Sequence, residues 1–265
     1  MFAFSKSTAL LVFGKLPGLG QVKTRLVVPG SGLNPAATSE LYQAMLLDTL
    51  ENASRTRRKV FFAYLPSDSW GTPHGLLAGL SSAHRSRIVP FPQRGRDFAS
   101  RLNFAIHEVR RRGARAVVVT GTDCPELSSN ILGGALLELE RTHTMLLGPA
   151  PRGGVYLIGL PPGVRLPRTG VFGEGRELEL LSALATLHRR PIRLLPVTSD
   201  IDLPEDLASL RKRLRRLPPD RVTCPRTLQF LNAHLDLQMA TLRPSKLGPA
   251  PPPPNSGSYV QRTAG

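Results

Sequence analysis

Strand-sized apolar runs alternate with longer amphipathic stretches along most of this chain, and that alternation limits what it can fold into. Apolar runs occupy residues 8–13, 60–64, 87–89, 116–120, 144–147, 155–160 and 192–197. Helical spacing of apolar residues fills most of the intervals, at 35–54, 97–112, 128–141, 176–189 and 204–214. Asn34 before Pro35 reads as an N-cap with proline in the first helical position, and Asp202 or Leu203 before Pro204-Glu205-Asp206 opens another helix. This order predicts an α/β layer architecture around a mostly parallel sheet. The segment 148–154 is too short for a helical crossover, so one antiparallel pairing or a broken strand is expected there.

A length of 265 residues suits one large domain, or one domain with a tail. The expected division is a main domain over 1–217, a helical extension over 218–243 and a proline-rich tail over 244–265, disordered or in polyproline II conformation around Pro251 to Pro254. No run of about 18–20 apolar residues occurs, so no membrane-spanning helix is expected. The run from Ala9 to Phe13 ends at Gly14-Lys15 and reads as a first buried strand rather than a signal peptide. Cys124 and Cys224 lie far apart without a paired-cysteine motif. That spacing argues against a zinc site or disulfide framework and fits a cytoplasmic protein. The 35 basic against 19 acidic residues give a net charge of +16, which implies affinity for anions. Aromatic residues make up 6% and do not interleave with the basic ones, which disfavours a nucleic-acid platform. Arginine clusters at 55–58 and 110–112 have an alternative use as helix-end charges, and a third at 211–216 lies near the expected domain end.

Four segments carry residues suited to chemistry. The first run is followed by Gly14-Lys15-Leu16-Pro17-Gly18-Leu19-Gly20-Gln21-Val22-Lys23-Thr24-Arg25. Its glycines permit close backbone approach to an anion and Lys15, Lys23 and Arg25 supply charge, though an ordinary glycine-rich turn with solvated lysines would look the same. It matches neither a Walker A loop nor the dinucleotide fingerprint. The second segment, Gly121-Thr122-Asp123-Cys124-Pro125, follows a strand at the point where open α/β sheets collect ligands. Asp123 there either joins a divalent cation to phosphates or merely precedes the helix that Ser128 caps. In the third, Asp200 and Asp202 share a side if the chain is extended, so one of them can complete a metal site with Asp123. In the fourth, Gln93 to Leu102, Asp97 reads as an N-cap, while Arg101 reaches either a phosphate or Asp97 one turn back.

Taken in order, these segments resemble the bacterial glycosyltransferase-like proteins of GT-A fold, related to the MobA-type and CMP-sugar-synthetase-type nucleotidyltransferases. The resemblance rests on Phe13, Lys15, Pro17, Gly20, Val22, Lys23, Thr24, Arg25 and Leu26, then Gln93, Asp97 and Arg101, then Gly121, Asp123 and Pro125, and finally Asp200, Ile201, Asp202, Pro204, Glu205, Asp206 and Leu207. It covers roughly residues 7–215. It implies a three-layer nucleotide-diphospho-sugar transferase fold with a Rossmann-like sheet, and a cytoplasmic transferase that uses a nucleotide-activated donor. Glycosyl transfer to a small acceptor is the leading expectation, with nucleotidyl transfer and a nucleotide-binding pseudoenzyme as alternatives. The partners implied are a nucleotide-sugar or nucleoside triphosphate and a small acceptor. By the same resemblance Asp123 and Lys23 are catalytic, and Asp123 and Asp202 hold Mg²⁺ or Mn²⁺. Lys15, Gly18, Gly20, Lys23, Thr24, Arg25, Asp97 and Arg101 contact the nucleotide, and Arg152, Gly153 and Gly154 line the substrate pocket. Two departures stand out: Arg152 replaces an acidic residue of the family pattern, and Gly173-Glu174-Gly175-Arg176 replaces a tryptophan-containing stretch.

Overall fold

A computed structural model describes residues 8–28, 31–167, 171–173 and 175–239. The elements run β1 (Ala9–Lys15), α1 (Pro35–Arg55), β2 (Val60–Leu65), α2 (His74–Leu77), α3 (Ser82–Arg85), β3 (Ile88–Pro92), α4 (Phe98–Arg111), β4 (Val117–Thr120), α5 (Ser129–Thr142), β5 (Met145–Pro149), β6 (Val155–Leu160), α6 (Glu177–Leu187), β7 (Ile192–Leu194), α7 (Pro204–Leu214) and α8 (Pro225–Met239). The seven strands form one sheet in the order β3-β2-β1-β4-β6-β5-β7. All neighbours are parallel except β6, which runs antiparallel to β4 and β5. The short segment 148–154 thus makes the expected antiparallel return, and the short helices α2 and α3 are additions that apolar period alone did not mark.

The inner strands are almost wholly apolar because helices cover the sheet on both faces, whereas the edge strand β7 carries Arg193 and is exposed. Alternate residues separate into two cores. Leu10, Val12, Phe62 and Val118 pack with Leu46 and Leu50 of α1 and Leu132 and Leu136 of α5. Leu11, Phe61, Val117 and Val119 pack with Leu102, Ile106 and Val109 of α4 and Leu181 and Leu184 of α6. Asn34 caps α1 by accepting from the Ala37 N–H at 2.8 Å, and Ser128 caps α5.

A third core lies beside these two, where Leu41 and Met45 of α1 meet Ile201, the α7 residues Leu207, Leu210 and Leu214, and Phe230 and Leu231 of α8. The helix expected in the C-terminal extension therefore packs against the main body. The proline-rich tail at 244–265 lies outside the described residues. Several arginines are held by ion pairs within the fold: Arg111 and Arg112 pair with Glu108, Arg58 with Glu140, and Arg213 with Glu126. Among the described residues no helix is long and apolar enough to cross a membrane.

Asp48 joins α8 to α1. Its carboxylate is fully buried and accepts hydrogen bonds from the N–H and hydroxyl of Thr227, both at 2.8 Å, and from the N–H and guanidinium of Arg226. Burial pushes the carboxyl above its ordinary range, against the pull of those donors. Removing the carboxylate leaves the buried N–H and hydroxyl of Thr227 without their acceptor, while Arg226 keeps Glu51 at 2.7 Å, so Asp48→Ala should lower unfolding free energy by about 2 kcal/mol in urea titration. A loss below about 1 kcal/mol would mean that α8 docks through its apolar face alone.

Candidate active site

Strand order reverses between β1 and β4, since β2 and β3 lie to one side of β1 and the later strands beyond β4. A crevice opens above the carboxyl ends of the strands at such a point. Here it is a cleft of about 770 Å³ walled by the loops after β1 and β4, the turn before β6, the start of α4 and the segment around Asp200.

Lys23 occupies the floor. Its backbone is left-handed, with φ at 50°, and its side chain is only 6% exposed. The ammonium bonds to Asp123 Oδ1, donates to the Ile201 carbonyl at 2.5 Å and lies 3.6 Å from Asp202 Oδ1. Two close acceptors and a second carboxylate just beyond hydrogen-bond distance offset the cost of burying the ammonium. The sequence predicts that Lys23 offers its charge to an anion, whereas the structure commits it to Asp123, Asp202 and the Ile201 carbonyl. Arg25 Nη1 lies 3.8 Å from Asp202 Oδ2 and the side chain is 77% exposed. Lys15 lines the cleft with its ammonium 3.4 Å from the Gln21 carbonyl, and Thr24 lines it at the start of a 3₁₀ turn.

The glycines of this loop serve the fold more than the cleft. Gly14 does line it, and an added Cβ would sit 2.9 Å from the Thr122 methyl. Gly18 packs on Ser67, whose hydroxyl donates to the Pro17 carbonyl at 2.8 Å, and Gly20 takes a turn with φ of 66°. Neither Gly18 nor Gly20 faces the cleft, contrary to the expectation of a glycine cradle. Beneath the loop, the buried Tyr42 hydroxyl accepts from the Lys15 N–H at 2.9 Å and the Thr122 hydroxyl at 3.0 Å. Burial, and then the nearby Asp123 charge, drives this phenol far above its ordinary range, so it stays neutral.

Asp123 is half exposed, and its backbone carbonyl accepts from the Ile201 N–H at 2.9 Å. That bond draws the segment Asp200-Ile201-Asp202 against the loop after β4. Asp202 turns to Lys23 and Arg25, whereas Asp200 meets Arg152, with 3.1 Å between its Oδ1 and Nη2. Arg152 also lies 3.4 Å from Asp206 Oδ2, an oxygen that accepts from the N–H groups of Asp202 and Leu203. Burial, then Asp202, pushes the Asp200 carboxyl up while Arg152 opposes the rise. Burial, then the charges of Asp123 and Asp200, lifts the Cys124 thiol well above its usual value, which keeps it protonated and poorly nucleophilic. Arg152 and Gly154 line the cleft and Gly153 does not: its φ is 81°, and a Cβ there would strike the Gly175 carbonyl.

On the α4 side, Asp97 is not a cleft residue. It caps the helix in a reciprocal box with Ser100, and the Ser100 N–H holds its carboxyl below the ordinary range. The use that the structure shows for Asp97 is the helix cap. Gln93 is spent similarly, donating to the Gly14 and Ala63 carbonyls. Arg101 does line the cleft, and its buried Nε has no hydrogen-bond partner among the described residues. Phe13, Phe98 and Phe172 stack in a row beside it, with centroids 5.3 and 5.1 Å apart. Tyr42, Phe98 and Phe172 are not among the expected site residues: Tyr42 and Phe98 sit on helices, where an aromatic side chain is indistinguishable from core, and Phe172 lies in a bend that carries no period.

Asp123 and Asp202 both face the Lys23 ammonium, which holds the two carboxylates together at the cleft. Hard carboxylate oxygens suit Mg²⁺ or Mn²⁺, which commonly take only one or two protein carboxylates and fill the remaining positions with phosphate and water. No group of three or more acidic, histidine or cysteine side chains is arranged for a metal among the described residues. The pair thus fits a metal shared with a phosphorylated ligand rather than a cage made by protein alone.

Sheet order, antiparallel β6 and this cleft define an α/β protein with the architecture of a nucleotide-diphospho-sugar transferase, transferase-like in its fold. A solved structure from Desulfovibrio desulfuricans G20, provisionally assigned as a nucleotide-diphospho-sugar transferase, is 26% identical with a TM-score of 0.74, over 88% of this chain and 97% of that one. A cytidylyltransferase from Leptospira borgpetersenii serovar Hardjo-bovis is 14% identical with a TM-score of 0.49, over 88% of this chain and 97% of that one. The mannosyltransferase PcManGT of Pyrobaculum calidifontis, solved with GDP-Man and Mn²⁺, is 13% identical with a TM-score of 0.47, over 90% and 76% of the two chains. Residues 46–174 match a family described as "Uncharacterized protein conserved in bacteria (DUF2064)". No curated protein matches the sequence.

Tyr42→Phe tests the support under the cleft. It leaves the Lys15 N–H and the Thr122 hydroxyl without their acceptor, a loss of about 1–3 kcal/mol for buried donors. Urea unfolding should show that loss, and an unchanged midpoint would mean that both donors find another partner.

Proposed function

We propose that this protein is a transferase acting on a nucleotide-activated donor, with glycosyl transfer from a nucleotide-sugar to a small acceptor as its reaction. The observation that carries this reading is the meeting of Lys15, Lys23 and Arg25 with Asp123 and Asp202 in one cleft at the reversal of strand order. The likeness to the Desulfovibrio protein supports it.

In such a transfer the bond from the anomeric carbon to the diphosphate oxygen breaks as the acceptor oxygen bonds to that carbon. Negative charge then grows on the departing diphosphate, and stabilising it is the main task of the site. Arg25 presents a fork of donors suited to phosphate oxygens and Lys15 a mobile ammonium at the mouth. Lys23 holds Asp123 and Asp202 in place from below. A divalent ion held by these two aspartates would supply further positive charge at the diphosphate. Phe98, 45% exposed in the cleft wall, offers an apolar surface for a ring of donor or acceptor.

Nucleotidyl transfer would use the same groups with attack at phosphorus, and release of pyrophosphate rather than nucleoside diphosphate separates the two. The Arg152 pairing favours turnover over a pseudoenzyme: the guanidinium engages Asp200 and Asp206 and leaves Asp123 and Asp202 to face Lys23.

A thermal-shift screen against nucleoside triphosphates, diphosphates and nucleotide-sugars, with and without Mn²⁺, tests the proposal. A ligand present at about one hundred times its dissociation constant should raise Tm by about 5 °C in a chain of this size. The Mn²⁺-dependent part should vanish in Asp123→Ala. No shift with any nucleotide, or a full shift in that variant, would overturn the assignment.

A further inference from the structure

Arg152 departs from the family pattern by a reversal of charge, and its contacts suggest what that reversal does. Ile201 between the two aspartates is buried and pinned at both polar atoms, its N–H on the Asp123 carbonyl and its carbonyl on the Lys23 ammonium. The flanking carboxylates therefore have little freedom: Asp202 faces Lys23, and Asp200 is taken by Arg152 at 3.1 Å. Asp206 is committed to two backbone N–H groups and to Arg152. Arg152 achieves this from a left-handed backbone with φ of 65°, a conformation that arginine adopts at a cost and that aspartate or asparagine accepts more readily. A strained residue at a cleft is a reason to look for function.

The network sets four carboxylates, Asp123, Asp200, Asp202 and Asp206, against three cations, Lys23, Arg25 and Arg152, which leaves one negative charge in excess. With an acid at position 152 the excess would be three.

We propose that Arg152 makes divalent-metal binding in this cleft depend on the nucleotide: by holding Asp200 and Asp206 in ion pairs, it leaves Asp123 and Asp202 too weak to retain a cation until a diphosphate adds its own oxygens and charge. This rests on the reading of the cleft as a nucleotide site. The chain then holds one divalent ion per nucleotide, and free metal does not load the cleft in advance.

Mn²⁺ binding followed by electron paramagnetic resonance and equilibrium dialysis tests this without reference to turnover. The proteins are the wild type, Arg152→Lys, Arg152→Asn, Arg152→Asp and Asp123→Ala, each with its urea midpoint checked. With Mn²⁺ alone, the wild type and Arg152→Lys should bind weakly. Arg152→Asn should bind at least about tenfold more tightly, as expected when a cation within a few ångströms is removed, and Arg152→Asp more tightly still. With GDP, UDP or CDP added in turn, the wild type should gain one protein-bound Mn²⁺ that Asp123→Ala lacks. Equal binding of Mn²⁺ alone by the wild type, Arg152→Asn and Arg152→Asp would overturn this proposal while leaving the metal site standing. Absence of protein-bound Mn²⁺ in every variant, with or without nucleotide, would overturn the metal reading and this proposal together.

Discussion

The cleft depends on one buried ammonium. Lys23 joins three segments far apart in the chain: its own loop after β1, the loop after β4 through Asp123, and the stretch before α7 through Asp202 and the Ile201 carbonyl. The sheet supplies the first two as neighbours, because β1 and β4 are paired in register from Ala9 and Val117 onward. The third is led from β7 along β5 as far as Thr198, whose N–H donates to the Pro149 carbonyl at 3.2 Å, and beyond that point an ion pair and the Ile201-to-Asp123 backbone bond fix it. Attraction between unit charges strengthens as water is excluded, and the 6% exposure of Lys23 puts these contacts in that regime. The aspartates are thereby held in position before any ligand arrives, which is the preorganisation that a charge-stabilising site requires.

This arrangement divides the basic residues of the loop by task. Lys15 and Arg25 extend into solvent and can meet phosphate oxygens, whereas Lys23 is already saturated. Elsewhere the Glu108, Glu140 and Glu126 pairs and the contacts of Arg110 with the Val164 and Pro161 carbonyls fix where several arginines sit, while the +16 is what remains once every acid is counted. Net charge therefore says little about the cleft by itself, where local pairing decides what is left to bind an anion.

The strands and long helices were legible because period follows burial: Leu10, Leu11 and Val12 are apolar without interruption since both faces are covered, and Asn34, Pro35 and Ser128 mark helix starts by their side-chain chemistry. The segments that meet at the cleft were legible too, since Asp123 and Asp202 do converge. The roles within them were not. Asp97 is both a capping residue and part of a motif, and only the Ser100 contact separates the two uses. Gly18 and Gly20 follow turn and packing needs that composition does not distinguish from an anion cradle. The partners of Arg152 lie 48 and 54 residues away, a pairing set by the fold alone.

The C-terminal helix bears on the cleft although it does not touch it. Ile201, between Asp200 and Asp202, is fully buried in the third core with α7 residues Leu207, Leu210 and Leu214, which α8 covers with Phe230 and Leu231. Asp48 adds the polar tie from α1 to the start of α8. The short segment that carries Asp202 has no strand partners of its own, so its position depends on the packing behind it as much as on Lys23 in front. A chain ending near residue 217 would expose Ile201 and the α7 leucines to water, at a cost of about 25 cal/mol for each Å² of apolar surface uncovered. The loss would fall on the wall of the cleft that lies beyond the reach of the sheet. What looks from sequence like an appendage to the transferase fold is, in packing terms, the back of its acidic wall.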